Sequence, residues 1–302
     1  MGGPLERDQV ILILTALIVG TIARVITIKE DFRQYPSYPN GFLIHLVLGF
    51  VAASLGAVAI PALMTKNFIA VTFLTLAIQQ FRDVRKSERE SLKDLENTEF
   101  AYRGDAYIDG ISKTFESRNY FSLLVALGTG MTIQIVDSKS DLINIIAGTI
   151  VGFILIFVLK RFSKGKTIGD IAEVKEGKIE VNNHELFVDG IYVSNLLGTE
   201  NAAKLFQEEG RAVIIYPKKE HFRVTLENFG QRQAALFEAT KTLGVKRYHF
   251  TRRDFNDGRV VIALVPIIND MDGLIEVVKK TPLLESSKKS PSVMKTNMVG
   301  RD

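Results

Sequence analysis

The uneven distribution of apolar residues most constrains what this chain can fold into. Five apolar runs with few charges precede residue 161, at 10–28, 42–64, 68–81, 120–136 and 142–159. An α-helix needs about 20 residues to cross the hydrocarbon core of a bilayer, and four of the runs reach or approach that length. The sequence therefore predicts a membrane helix bundle in the first half, and the frequent charges after residue 161 predict a soluble domain in the second.

The third run, with 14 residues, is short for a crossing, so we use positive charges to decide whether it spans. Cytoplasmic loops of membrane proteins are enriched in Lys and Arg. Five crossings with the N-terminus outside put 14 such residues on the cytoplasmic side and three on the other. Without the third crossing, the eight positive charges of the loop 82–119 would move outside. We therefore predict about five transmembrane helices, an outer N-terminus and a cytoplasmic second half in a multi-pass cell-membrane protein.

Three features of the predicted helices bear on packing. Arg24 lies near the inner end of the first helix, where we expect it to reach the cytoplasmic headgroups. Gly148 with Gly152, and Ala52 with Gly56, are pairs of small residues four positions apart, which allow helix backbones to approach closely. Packing within one bundle is the favoured interpretation of both pairs, and a homo-oligomer stays open.

Composition excludes several classes of site. The chain has no cysteine, so disulfides, thiolate metal sites and cysteine nucleophiles are ruled out. Its four histidines are widely spaced and form no metal-ligand motif, and we expect neither a metal nor a cofactor. A net charge of +4 is too mild to indicate nucleic-acid binding.

The predicted organisation has three parts. These are a transmembrane bundle at 1–164 that includes a cytoplasmic loop at 82–119, a cytoplasmic α+β domain at 165–282, and a disordered tail at 283–302. Within the α+β domain, Asn and Gly turn signals divide 171–195 into a small β-meander. The elements that follow are a helix at 199–209, a strand at 212–216, a helix at 226–243, strands at 245–251 and 259–265, and a helix at 270–280. Their order resembles most of a ferredoxin-like unit.

Basic and aromatic residues alternate in VKRYHFTRRDF, residues 245–255. Such residues can stack on bases or bind phosphates. Anionic lipid headgroups or a partner protein explain the segment equally well. Nucleic acid is the disfavoured partner because the net charge from residue 165 onward is small.

The loop before the fourth run holds the densest group of candidate functional residues. Tyr107, Ile111 and Phe115 recur every four residues, which predicts a short amphipathic helix lying in the membrane interface. A catalytic role would use Asp105 or Asp109 as a base or cation ligand, but a structural role is favoured. The polar residues of this candidate functional loop are Arg103, Asp105, Glu116 and Arg118.

Tyr107, Ile108, Asp109, Gly110, Ile111 and Ser112 spell YIDGIS. This segment resembles the signature of the YIEGIA family, with Asp109 in place of Glu and Ser112 in place of Ala. The layout of apolar helices, motif and C-terminal soluble region is similar over most of residues 5–280. The resemblance implies a membrane protein of endospore-forming Firmicutes associated with sporulation, and it implies no mechanism.

Three functions follow as hypotheses. The preferred one is a non-enzymatic assembly or interaction factor in the mother-cell or forespore membrane, which binds protein partners through its loop and C-terminal domain. The second is a transporter or channel component whose path is lined by Gln79, Gln80, Thr132 and Gln134. The third is a membrane-bound enzyme that uses Asp105, Asp109 and Arg118 of the 103–118 loop.

Overall fold

The computed structural model describes residues 6–31, 39–163 and 165–287, and the chain divides into two compact units. We name them the helical unit, Met1–Glu90 with Ile111–Lys164, and the sheet unit, Ser91–Gly110 with Gly165–Asp302. The division coincides with the predicted boundary at residue 164 but moves 91–110 out of the bundle. The reason is that Ala101 is buried in the hydrophobic core of the sheet unit.

All five apolar runs lie in long helices. The helices are α1 Arg7–Asp31, α2 Pro39–Met64, α3 Phe68–Leu95, α4 Asp105–Val136 and α5 Asp141–Ser163. By length and hydropathy, four segments could cross a membrane: Arg7–Ile28, Phe42–Met64, Asp105–Val136 and Asp141–Ser163. These segments point to membrane association. The predicted count of about five is not confirmed, because the second half of α3 is rich in charge and lowers its hydropathy.

Small residues let these helices approach closely. A Cβ on Gly56 of α2 would lie 2.3 Å from the carbonyl oxygen of Leu123 of α4. On α5, a Cβ on Gly148 would lie 2.6 Å from Ile133, and one on Gly152 would lie 2.5 Å from Thr129 Oγ1. Both predicted small-residue pairs therefore pack inside this chain, as helix pairs in a membrane do.

The end of the apolar run of α3 packs on both α2 and α4. Its Phe81 is 3% exposed and lies in one cluster with Ala52 and Leu123. The Phe81 and Tyr120 rings meet edge to face, with centroids 5.6 Å apart. The opposite side of its apolar run is exposed, including Phe68 at 79%. Helix α3 therefore contacts two candidate spans of the helical unit at the end of its apolar run.

The sheet unit contains two antiparallel sheets. One has the order β1-β5-β7-β6 and the other β2-β3-β4. The strands are β1 Ala172–Glu176, β2 Ile179–Asn182, β3 Glu185–Val188, β4 Ile191–Ser194, β5 Arg211–Pro217, β6 His249–Arg253 and β7 Val260–Leu264. The predicted meander is present as β2-β3-β4, with positive φ at Asn183, His184, Asp189 and Gly190 in its two turns. The first predicted strand instead pairs with β5.

The ferredoxin-like prediction is not confirmed. A β-α-β-β-α-β unit has its last strand after its second helix, whereas the fourth strand of this antiparallel sheet, β1, comes before the other three in the chain. Strand order depends on long-range pairing, which the order of elements along the chain does not determine. The helices of this unit are α6 Ile168–Ile171, α7 Glu200–Glu209, α8 Phe222–Leu226, α9 Phe229–Leu243 and α10 Met271–Lys280.

The four-stranded sheet separates two hydrophobic cores. On one face, Val213 and Ile262 pack with α9 and α10. On the other face, Ile214 and Val261 pack with the small sheet and with Phe206 of α7. This alternation follows from the two-residue period of strands, and β7 is buried along its whole length because both of its faces are covered.

Part of the predicted tail is packed in the sheet unit. The side chain of Gln231, 1% exposed, donates to the carbonyl of Pro282 and accepts from Leu284 N–H and the hydroxyl of Ser287. A buried amide needs such partners. Residues 283–287 therefore belong to the folded domain, whereas the rest of the predicted tail, 288–302, lies outside the described residues.

Candidate functional site

The YIDGIS segment begins at a turn built by the residues just before α4. Gly104 has φ +82°, which glycine adopts without strain, and its N–H donates to the Glu96 carboxylate over 2.9 Å. Asp105, exposed at the first turn of α4, pairs with Lys93 Nζ at 2.7 Å. An acidic residue there interacts favourably with the helix dipole, which gives Asp105 a structural explanation.

Tyr107 attaches the start of α4 to α9 within the sheet unit. The Tyr107 side chain is 3% exposed, and its hydroxyl donates to Glu238 Oε1 over 2.5 Å. Its ring meets Phe237 edge to face, with centroids 6.1 Å apart. Hydrogen bonds to a charged acceptor are stronger than neutral ones, so this contact fixes the first turn of the motif.

Arg103 lies on the same phenylalanine. Its guanidinium is 4.6 Å from the centre of the Phe237 ring, and its Nη2 donates to Glu99 over 2.6 Å. The Arg103 side chain is 5% exposed, and its Nη1 has no hydrogen-bond partner among the described residues. The cation–π contact and the ion pair together stabilise this buried charge. Arg103 and Tyr107 thus form one docking cluster with Glu238 and Phe237.

The six motif residues are divided between the two units at the bond between Gly110 and Ile111. Ile108 is buried in the sheet unit, whereas Ile111 and Ser112 are buried in the helical unit. Asp109 and Gly110 are half-buried. The predicted short interfacial helix is wrong, because α4 is one continuous helix from Asp105 to Val136. The predicted apolar face of Tyr107, Ile111 and Phe115 is confirmed, since each is 3% exposed.

Two other loop candidates lie in the helical unit. Glu116 pairs with Arg85 of α3, with Arg85 Nη1 and Glu116 Oε2 3.4 Å apart. Arg118 is half-buried on the following turn. The candidate loop therefore contains separate ion pairs along its length, and the Lys93–Asp105 and Arg85–Glu116 pairs lie in different units.

Arg24 occupies the interior of the helical unit, and the expectation that it reaches the headgroups is wrong. It is 0% exposed, and its Nε donates to the carbonyl of His45 over 3.2 Å. Its guanidinium lies 5.5 Å from the centre of the Phe115 ring, which also meets His45 edge to face. A Cβ on Gly49 would lie 2.2 Å from Arg24 Cγ, so glycine makes room for this inward path.

The comparisons with known proteins agree with this picture. The family described as YIEGIA protein matches the chain over residues 12–294. An uncharacterized protein, YphB, of Bacillus subtilis (strain 168) is 36% identical over 292 residues, which are 94% of this chain and 96% of that protein. The chain belongs to the YIEGIA family. The resemblance seen at residues 107–112 is thereby confirmed, while no solved structure matches the chain.

The residues of the YIEGIA signature lie in different surroundings in the structure. The Tyr is the docking residue of the sheet unit, and the two Ile residues are buried. Asp109, which stands for the Glu of the signature, is half-buried. Ser112, which stands for the Ala of the signature, is 0% exposed.

Sequence reasoning missed a polar stripe on the same helix. Asn119 and Ser122 are both 0% exposed, and their side chains have no hydrogen-bond partner among the described residues. Thr129, also 0% exposed, bonds to the carbonyl of Val125 on its own helix. Ser122 follows Asn119 by three residues, and Thr129 follows Ser122 by seven, so all three lie on one helix face. This spacing was the signal available in the sequence.

The basic and aromatic segment divides by strand alternation. Tyr248 and Phe250 pack against Phe206, with ring centroids 6.0 and 5.8 Å away. They therefore contribute to the core and are not arranged as a stacking surface for bases. Among the described residues there is no group of three or more His, Cys, Asp and Glu side chains that could hold a metal ion.

Proposed function

We propose that this YIEGIA-family chain is an integral membrane protein that acts as an assembly or interaction factor during sporulation, with its sheet unit in the cytoplasm. One observation supports this most: α4 is a single helix whose first six residues belong to the sheet unit and whose remainder belongs to the helical unit. The folded domain is thus continuous in the chain with a candidate membrane span through α4, in addition to the connection after α5.

We propose five crossings, with α3 as the third. The end of the apolar run of α3 packs on α2 and α4, and its residues Phe68, Ile69 and Phe73 are 79%, 71% and 68% exposed. Lipid would cover such residues. Five crossings with an outer N-terminus put 14 of 17 flanking positive charges in the cytoplasm.

The charge pattern alone does not select this arrangement. Four crossings with a cytoplasmic N-terminus, and α3 outside the bilayer core, also put 14 of the 17 charges in the cytoplasm, with Arg7 and Lys66 in place of Lys29 and Arg33. Both arrangements place 91–110 and the sheet unit there. The two differ in the side of the N-terminus, so a reporter at the N-terminus that works only outside the cell separates them. Activity of this reporter supports five crossings. No activity of this reporter, together with activity of a cytoplasmic reporter fused after Glu96, supports four.

The assembly role is tested with spores. In a spore-forming host that lacks its own copy, we expect Tyr107→Ala, which removes the contact with Glu238, to reduce the yield of heat-resistant spores. Asp105→Ala, Asp109→Ala and Arg118→Ala are expected to leave the yield near normal, with membrane levels measured for each variant. A strong defect in the latter three at normal protein levels would favour the enzyme hypothesis instead.

The partners are proposed to bind the sheet unit, including its 91–110 segment. Crosslinking in sporulating cells, followed by capture of the full chain, should yield the same proteins from the native chain and from Asp109→Ala. It should yield fewer from Tyr107→Ala. The transport hypothesis receives less support, because Gln79 and Gln80 are exposed on α3 and do not lie in the interior of the helical unit.

A further inference from the structure

One surface of the sheet unit combines exposed phenylalanines with arginines. Phe229, at the start of α9, is 69% exposed, and Phe255, just after β6, is 68% exposed. The guanidinium of Arg232 lies 5.8 Å from the centre of the Phe229 ring. That of Arg253 lies 4.7 Å from the centre of the Phe255 ring. Each ring therefore lies against a guanidinium and is still mostly exposed.

Glu227 connects the two ring–cation pairs. Arg223 Nε and Arg253 Nη1 each lie 3.4 Å from a carboxylate oxygen of Glu227, and Arg232 donates to the Glu227 carbonyl over 3.3 Å. Arg223 also donates to the carbonyl of Phe255 over 3.3 Å. We name Arg223, Arg232, Arg253, Phe229 and Phe255 the arginine–phenylalanine surface.

The surface is positive. Glu227 and the exposed Glu220, which pairs with Arg223, are the carboxylates in contact with its arginines, and the exposed Arg252 adds a further positive charge nearby. Asp254 and Asp257 are engaged by Arg259. Burial, followed by the positive charges of Arg253 and Arg252, lowers the pKa of Arg232. An anionic partner would relieve this crowding of like charges.

Two physical requirements identify the partner. The arginines need phosphate or carboxylate groups, and the two rings need an apolar environment, since exposed phenylalanine surface is unfavourable in water. The interface of an anionic bilayer supplies both, with phosphates above acyl chains. A chain that is held in a membrane also keeps its second unit at high effective concentration near lipid, and this step rests on the proposed membrane insertion.

We propose that the arginine–phenylalanine surface binds the anionic lipid headgroups of a bilayer, with Phe229 and Phe255 entering the interface. The arginines would contact lipid phosphates, and the rings would lie just below them. The sheet unit would then have a second, reversible attachment to the membrane that depends on lipid charge. Such an attachment would control which of its other faces is available to protein partners.

The absence of tryptophan makes a direct test simple. The chain has no Trp, so Phe255→Trp introduces a single tryptophan, whose emission is read separately from that of the tyrosines. The full-length variant is reconstituted into vesicles of phosphatidylcholine alone or mixed with phosphatidylglycerol. We expect a blue shift of emission, and loss of most fluorescence to brominated lipid, in the anionic vesicles only. The matched control is Leu196→Trp, at a residue that is also 68% exposed and lies outside the surface.

The arginines are tested in the same background. Adding Arg232→Gln and Arg253→Gln to Phe255→Trp should abolish the blue shift, and added salt should weaken it, because exposed charges are screened. Equal emission in both vesicle types, or equal quenching of the two tryptophans, would overturn the proposal. So would a shift with soluble polyglutamate but not with anionic vesicles, since that result indicates an acidic protein partner. Extraction of the chain by alkaline carbonate would instead refute membrane insertion, and it is measured separately.

Discussion

The two units are stabilised by different means. The helical unit has small residues at its centre, including Ala16, Ala53, Ala57 and Ala126, while large apolar side chains such as Ile135 and Phe157 are 76% and 74% exposed. The sheet unit has the opposite arrangement, with Phe206 and the β7 strand fully inside. Helix association in lipid depends on close packing, whereas a domain in water depends on buried apolar area. The following predictions test that contrast.

The largest effect is expected in the core of the sheet unit. Phe206→Ala removes a ring that is 0% exposed between the two sheets. We expect a loss of about 3–5 kcal/mol in the free energy of unfolding of this unit. Urea titration of the full chain in detergent, followed by hydrogen exchange of the β5 amides, measures it. Phe255→Ala is the control at an exposed ring, and equal losses in both variants would contradict the role of burial.

The helical unit should instead be sensitive to the addition of a single methyl group. In Gly56→Ala, the new Cβ would lie 2.3 Å from a backbone oxygen of α4, which cannot move without separating two helices. We expect a loss of about 1–3 kcal/mol. Gly128→Ala is a matched control, because its Cβ meets the end of the Leu155 side chain at the same distance and that side chain can rotate. The midpoint of thermal unfolding in detergent should be lower for Gly56→Ala than for the parent chain, and that of Gly128→Ala should be near the parent's.

The docking cluster tests how the start of α4 is held within the sheet unit. Tyr107→Phe keeps the ring on Phe237 and removes the hydrogen bond to Glu238. Because Glu238 is only half-buried and water can replace the hydroxyl, we expect a loss of about 1 kcal/mol from the sheet unit. A double-mutant cycle with Glu238→Ala, which removes the acceptor, isolates the pair. Additive losses from the two variants would show that this bond does not stabilise the unit.

The sequence predicted features that depend on local pattern. The five apolar runs became five helices, and the turn residues near Asp189 located the hairpins of the meander. Features that depend on distant partners were missed. Tyr107 and Glu238 are separated by 131 residues, and the inward position of Arg24 depends on Gly49 and His45 of another helix.

The motif shows the same division within six residues. Its apolar face was predictable from a four-residue period, but no local pattern indicated that the predicted short helix would continue without a break into the fourth apolar run. Strand order was unpredictable for the same reason, because β1 pairs with β5 across the intervening meander. Long-range pairing has no signature in local periodicity.

The smallest predicted effect is a pH dependence confined to the sheet unit. Burial lowers the pKa of His249 below its ordinary value of 6.5, so the folded state favours the neutral ring while the unfolded chain binds a proton. Stability of the sheet unit should therefore fall as the pH drops through 6.5. Asp254, whose pKa is lowered from 3.8 chiefly by the N–H of Asn256, acts below this window.

The pH effect is measured as the urea midpoint of the sheet unit between about pH 7.5 and about pH 5.5, a range that includes the ordinary histidine pKa. His249→Gln should lose less stability over this range than the parent chain, whereas His221→Gln, in the same unit beside Phe222, should behave like the parent. Because His249 is a half-buried side chain on an edge strand, the difference should be smaller than that from Tyr107→Phe. If His249→Gln follows the parent closely, other groups of the sheet unit determine its acid sensitivity, and burial of this ring contributes nothing measurable to the contrast between the units.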